Sequence, residues 1–387
     1  MADQKPKKRA IFEDVTENTS RENSVGASKT TGVIDQASTG ARGLIRVWIM
    51  VIFALVASMV VVGGLTRLTD SGLSITEWKP ITGAIPPMNA ADWGGEFEKY
   101  KTIPEFQLVN KNMTLEEFKS IFWWEWGHRQ LGRFVGLVWG LGFLFFWLTK
   151  RIPAGWTNRL LGLGALGGLQ GAIGWWMVSS GLTGRMVDVA SYRLATHLGL
   201  AFIILGLSFW YIQELGRSGQ DILAARRLGE PKLKKRASGL MHMVMLQVLL
   251  GALVAGIDAG RGYIDWPLMA GQWIPDGMFA ETPIWTNFFE NPALVQFIHR
   301  LMGYGIFIYG LLIWRQSRQS GNTSTKRAFD WVMVMIFGQV VLGIVTVMHA
   351  APVHLALTHQ IGAIVLFCLV LRARFLSIAP LSQSIRG

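Results

Sequence analysis

Four histidines of this chain stand in two matched pairs. His128 closes the run Glu125-Trp126-Gly127-His128-Arg129, and His299 closes Gln296-Phe297-Ile298-His299-Arg300. His197 follows Ala195-Thr196, and His359 follows Leu357-Thr358. A neutral imidazole is the commonest protein metal ligand. A histidine inside an apolar segment is costly enough to mark function. Two such pairs in repeated surroundings predict two metal or haem sites. Holding a porphyrin iron between two imidazoles needs neutral rings on opposite faces of a flat group, with small residues nearby. Glycines stand close to each histidine: Gly127, Gly199, Gly303 and Gly362. Zinc fits less well, because neither half offers a third ligand at consistent spacing. One such histidine alone would be read as a hydrogen-bonded interfacial residue. His242, His349 and His354 have no counterpart in the other half and are read as structural.

The two pairs differ chemically. Glu125 stands three residues before His128, whereas Gln296 holds that place before His299. A carboxylate can accept a proton and an amide cannot. The first half is therefore read as the one that does chemistry, and the second as a resident cofactor site. The plainer alternative makes Glu125 an acid near a helix start, favoured by the dipole. Arg129 and Arg300 follow the histidines, and Arg67, Arg185 and Arg193 fall in outer segments. Their guanidinium groups suit carboxylates such as haem propionates, or rest solvated at an interface. Trp123, Trp124 and Trp126 are read as interface anchors.

The elements that must position these residues are membrane spans. The chain is 51% hydrophobic and only 16% charged, which no ordinary soluble domain of 387 residues matches. Hydrophobic runs predict eight spans: 44–64, 129–149, 160–178, 196–213, 240–257, 298–314, 329–348 and 357–375. Most are near the ~20 residues that cross a hydrocarbon core of about 30 Å. The net charge of +12 gathers in the connections after spans two, four and six. Those connections and both termini share one side, which the positive-inside rule makes the cytoplasm. With no soluble basic face, nucleic acid is excluded as a partner. The single cysteine, Cys368, excludes an internal disulfide. Residues before the first span read as a disordered tail. Its acids Glu13, Asp14 and Glu17 argue against a mitochondrial transit peptide, and no cleavable secretory signal is expected there.

Two long loops, roughly 65–127 and 258–297, lie on the opposite side and share a pattern. Asp70 and Asp258, like Trp78 and Trp266, are 188 residues apart (258 − 70; 266 − 78). The expected fold is an all-α polytopic membrane protein of two parallel four-helix-bundle repeats. The boundaries are a disordered cytoplasmic tail 1–43, an N-terminal half 44–213, a linker 214–239, a C-terminal half 240–376 and a tail 377–387. Spans two, four, six and eight then all run inward, which places the four histidines near the outer face. Alternate helices of such a bundle can lie diagonally, so paired histidines could face one cavity.

The run Gly63-Gly64-Leu65-Thr66-Arg67-Leu68-Thr69-Asp70-Ser71-Gly72-Leu73-Ser74, followed by Glu77-Trp78-Lys79-Pro80, resembles the haem A synthase family. So do Glu125 to Arg133 and the paired histidines, and the resemblance extends over about residues 44 to 376. It implies that a methyl group of haem O is oxidised to a formyl group by successive hydroxylations, through a geminal diol that loses water. The haem A formed would serve haem–copper oxidases. The resemblance assigns haem b to His299 and His359, the substrate haem to His128 and His197, and activity to Glu125. Some bacterial members carry cysteine pairs in their outer loops. This chain has none, so it is similar to the cysteine-lacking alphaproteobacterial and mitochondrial subgroup. The acidic tail favours the bacterial inner membrane. A haem O-making prenyltransferase is the natural partner by pathway. The electron acceptor is not identified, and a homo-oligomer is left open. The competing classes are a di-haem electron-transfer protein and a transporter. Haems on both faces would suit the former, and broken helices the latter.

Overall fold

The computed structural model describes residues 39–184 and 186–383. The tail expected to be disordered and Arg185 therefore lie outside the described residues. Among these, the secondary structure is helical, in the order α1 (Thr39–Leu68), α2 (Ala90–Lys101), α3 (Pro104–Leu108), α4 (Leu115–Leu148), α5 (Thr157–Val178), α6 (Ser191–Leu215), α7 (Gly219–Arg226), α8 (Pro231–Gly256), α9 (Asn287–Glu290), α10 (Pro292–Ser317), α11 (Thr323–Met348) and α12 (Val353–Ile378), besides short 3-10 turns. Eight of them, α1, α4, α5, α6, α8, α10, α11 and α12, are long and apolar enough to cross a bilayer. Helices satisfy their own backbone in lipid, which irregular chain cannot. The chain is a multi-pass membrane protein.

These helices outrun the hydrophobic spans because their starts are polar. Helix α4 begins at Leu115 rather than near 129, set by a capping box in which Thr114 and Glu117 satisfy each other's backbone amides. His128 and Glu125 thus stand well inside a helix. The first helix begins at Thr39, within the stretch expected to be tail. Proline at the first turn starts α8 at Pro231 and α10 at Pro292, where its missing N–H costs nothing. The linker expected at 214–239 consequently holds α7 and the first turns of α8.

Helix α1 packs against α4 and α6, and α5 against the same two; α8 packs against α10 and α12, and α11 against the same two. Helices α6, α8 and α12 form the seam between these groups. Phe202 of α6 meets Phe367 of α12 edge-on at 5.6 Å, close beside Gly206. Ile45, Ile49, Leu205, Leu240, Ile313 and Phe329 are among the fully buried side chains of the core, whereas Leu137, Leu141, Leu144 and Leu148 of α4 stay exposed where lipid would lie.

Above the seam, Arg67 at the end of α1 gathers three carboxylates. Its guanidinium reaches Asp70 at 2.7 Å, Asp258 at 3.0 Å and Asp188 at 3.5 Å. Asp70 and Asp258, the repeat-related aspartates, both adopt left-handed backbone, with φ of 50° and 51°. Arg67→Gln leaves three acids facing one another across the seam. It should lower unfolding stability by about 1–3 kcal/mol, discounted for the partly exposed aspartates. An unchanged thermal melt of the detergent-solubilised chain would show that the cluster does not brace the seam.

Candidate functional site

Each of the four histidines lies against a glycine of the preceding long helix. A Cβ on Gly63 would come within 3.1 Å of the His128 ring, and one on Gly174 within 2.8 Å of the His197 ring. The corresponding approaches are 3.2 Å from Gly251 to His299 and 3.1 Å from Gly343 to His359. Alanine at these places would push the ring aside.

The rings are also left short of partners. Nδ1 of His197, His299 and His359 is buried and unpaired among the described residues. A buried imidazole nitrogen without a partner carries a desolvation cost, and native structures keep few of them. A ring nitrogen without a protein partner between closely packed helices fits an imidazole that ligates iron, so the donor set suits haem.

A third residue type joins this arrangement. Gln170, one turn before Gly174, donates its amide Nε2 to the carbonyl oxygen of His197 at 3.0 Å and lies 3.4 Å from that ring's Nε2. Gln247, one turn before Gly251, repeats this on His299 at 3.1 and 3.3 Å. Gln339 stands likewise before Gly343; its amide packs on Gly362, with Nε2 unpartnered. Before Gly63 the residue is Met59. A Cβ on Gly132 would lie 3.6 Å from Met59 Cε, just as one on Gly303 would lie 3.5 Å from Gln247 Nε2. The sequence signal for these residues is Met59-x-x-x-Gly63, Gln170-x-x-x-Gly174, Gln247-x-x-x-Gly251 and Gln339-x-x-x-Gly343, one before each histidine.

One turn from His128, Glu125 is buried and accepts from four donors. Arg129 Nε and Nη2 reach Oε1 at 3.1 and 2.6 Å, while Ser74 Oγ and the Ile75 amide both reach Oε2 at 2.8 Å. Arg129 also donates to the carbonyls of Ile75 and Glu77. In the other half Arg300 donates to Gln296 Oε1 and to the carbonyls of Tyr263, Asp265 and Leu268. Ile75 and Tyr263, like Glu77 and Asp265, keep the offset of 188 (263 − 75; 265 − 77). Both arginines thus clamp equivalent loop segments onto the helices that carry the histidines.

The remaining expectations divide. Arg67 is occupied by its aspartates, and Arg193 donates to the Trp176 carbonyl at 2.7 Å while lying over that ring. Arg185 lies outside the described residues. His242 and His349 each have Nδ1 within hydrogen-bond distance of the carbonyl four residues earlier, and His354 is exposed. Trp123 and Trp124 are both exposed, and Trp123 also packs edge-on against Trp93 and Trp126, tying α2 to α4.

Sequence reading passed over Glu105 of α3. It is buried in the first outer loop beside Tyr100, with Oε2 unpartnered. Burial first, then the charges of Asp188, Glu125 and Asp70, push its carboxyl up to about 8.

Taken together, the fold and site define a helical multi-pass membrane protein with four half-buried histidines, each ring seated on glycine. Residues 46–371 match the COX15-CtaA family, cytochrome oxidase assembly proteins. The chain belongs to that family. It is 63% identical to the haem A synthase of Dinoroseobacter shibae over 98% of this chain and 99% of that protein. It is 58% identical to the haem A synthases of Paracoccus denitrificans and of a Ruegeria species, again over 98% of this chain and 99% of theirs.

The raised Glu105 value sets a pH dependence. Between about 4.5, its ordinary value, and about 8, the folded chain holds a proton that the unfolded chain has lost. Stability therefore falls as pH rises through that window. Glu105→Gln should flatten this slope in melts followed by tryptophan fluorescence; an unchanged slope would mean that another group sets it.

Proposed function

We propose that this chain is the membrane oxidoreductase that converts haem O to haem A for haem–copper oxidases. The observation that carries the reading is the set of four glycine-backed histidines on four membrane-spanning helices, in a chain related to haem A synthases along nearly its whole length. His128 and His197 hold the substrate haem, and His299 and His359 hold haem b. The N-terminal half, 44–213, is the substrate half; the C-terminal half, 240–376, is the resident-haem half, joined by 214–239. The packing of α1, α4, α5 and α6, echoed by α8, α10, α11 and α12, supports two parallel four-helix units. The basic connections put both termini in the cytoplasm and the haem sites toward the periplasmic face of the inner membrane.

Haem b, when bound, supplies one-electron chemistry beside the substrate half. The chain's own residues bind and orient. His128 and His197 fix the porphyrin, and the glycines let the rings approach. Arg129 and Arg300 press the outer loops onto the histidine helices, which restricts water. Glu125 is the proton acceptor for the oxidation, positioned by Arg129, Ser74 and Ile75. Gln296 has the same place in the other half, where an amide suffices to hold the loop. A haem O-making prenyltransferase supplies the substrate, and a separate acceptor removes electrons.

Haem extraction and mass analysis of membranes that contain the chain and are supplied with haem O test the reading. Haem A or its hydroxylated precursor is expected. Haem b alone, with haem O untouched, would move the chain to di-haem electron transfer. Glu125→Gln puts an amide nitrogen or a weaker acceptor before the Ile75 N–H. It should keep haem b and lower product formation by about 100-fold or more, the scale of general-base catalysis. Loss of both would make Glu125 a folding residue. His299→Ala should release haem b, whereas His128→Ala should not; an unchanged haem b spectrum in His299→Ala would overturn the division of the halves.

A further inference from the structure

Gly63 and Gly64 stand side by side on α1, and each faces a histidine-bearing helix from a different half. Gly63 backs the His128 ring of α4, and Gly64 faces Gln360 of α12, the residue next to His359. A Cβ on Gly64 would fall on the Gln360 amide. With no Cβ there, Gln360 lies along α1 and donates Nε2 to the Val60 carbonyl at 2.6 Å. One turn of α1 therefore holds the seat of one histidine and the neighbour of another. A turn further out, Arg67 reaches Asp258 of the C-terminal half at 3.0 Å. The outer end of α1 is thus tied to the other half at two levels.

The corresponding contact at the other seam is apolar. The offset of 188 relates Val60 to Val248, Gly63 to Gly251 and Gly64 to Ala252 (248 − 60; 251 − 63; 252 − 64). The neighbour of His197 is Leu198, which packs against the cluster of Ala195, Ala252, Leu253 and Val295. Behind His299, carbon meets carbon across the seam; behind His128, an amide is laid on a glycine. A hydrogen bond has direction, which apolar packing lacks. The amide therefore fixes both the height and the rotation of α1 at the turn that seats His128.

We infer that Gln360 is a positioning residue for His128: the helix carrying His359 holds α1 at Gly64 and so sets Gly63 against the His128 ring. The N-terminal site thereby takes part of its geometry from the C-terminal half. This rests on His128 being an iron ligand, as proposed above. A ligating geometry that is only partly populated weakens apparent affinity in proportion. One interhelical hydrogen bond in a bilayer is worth roughly threefold to twentyfold in such an equilibrium.

The test titrates haem O into the full-length, detergent-solubilised chain that already carries haem b. His128→Ala identifies the site, and should abolish the low-spin, two-imidazole spectrum of the added haem alone. Gln360→Leu installs the residue found at the other seam. It should weaken haem O binding by about threefold to twentyfold and turn part of that spectrum high-spin, with haem b unchanged. Gly64→Ala displaces the same amide and should have the same effect. The two together should do no more than either alone, because they break one contact and recreate the Ala252 and Leu198 pair. A merely structural role would loosen haem b as well or give additive losses, and either result would overturn the inference. So would wild-type binding and spectrum in a folded Gln360→Leu chain. Should that variant fail to assemble, Gln360→Met, of similar length and without a donor, decides in the same way. Haem b lost from His128→Ala, with haem O still low-spin, would instead overturn the assignment of the sites. The inference would then stand or fall on the haem b spectrum of Gln360→Leu.

Discussion

Everything in this molecule depends on bringing an imidazole between membrane helices without displacing them. A histidine ring projecting from one helix meets the backbone of the next, and a Cβ there would sit about 3 Å from ring atoms at all four positions. A Cβ so close would force the ring to shift, most of all behind His197, so glycine suits the facing helix at each position. The cost of glycine in a helix is small in lipid, where tertiary packing and the satisfied backbone dominate. The benefit is a ring held in place by backbone, with nitrogens left free for a ligand. The contact recurs at four helix pairs: α1 with α4, α5 with α6, α8 with α10 and α11 with α12.

The outer loops follow from the same constraint. A histidine well inside a helix needs the preceding segment to be helical as well, and α4 achieves this with polar turns that stand above the apolar region. Those turns need covering. Arg129 and Arg300 supply it by donating to carbonyls of the loops at 75–77 and 263–268, which would otherwise lie unsatisfied against the helices. The aromatic cluster of Phe97, Tyr100, Phe118 and Phe122 then packs the first loop onto α4. The second loop is shorter and leans more on its asparagines, with Asn287 and Asn291 bonding loop carbonyls. Loop and helix are therefore one device repeated with different filling.

Much of this was legible in the residues alone. The eight spans and the all-helical class follow from hydropathy, and the four histidines stand out by motifs that recur in order. The helix starts were not, because hydropathy ends where polar turns begin and only the Thr114–Glu117 capping box marks the true start. The protein partners of Arg129 and Arg300 were hidden for another reason: most are backbone carbonyls, which every residue carries and no sequence pattern reveals. Arg67 pairs with Asp188 and Asp258, 121 and 191 residues away, beyond any local rule. The glutamines escaped because one polar residue in an apolar run looks incidental, and 44 glycines make any single glycine unremarked. Aligning the four histidines with the helices before them brings out the shared glutamine–glycine spacing.

Duplication explains why so few residues carry the difference between the halves. Once two copies share loop clamps and glycine seats, divergence is cheapest where one side chain can replace another of the same shape. Glu125 against Gln296 and Met59 against Gln247 are such positions. In each case the side chain is nearly isosteric with its counterpart, and what changes is a proton: a carboxylate that can take one, a thioether that cannot give one. The architecture tolerates both exchanges because backbone contacts, not these side chains, hold the helices together. On the proposed division, one half would turn over its porphyrin while the other keeps it, on a scaffold the two have in common.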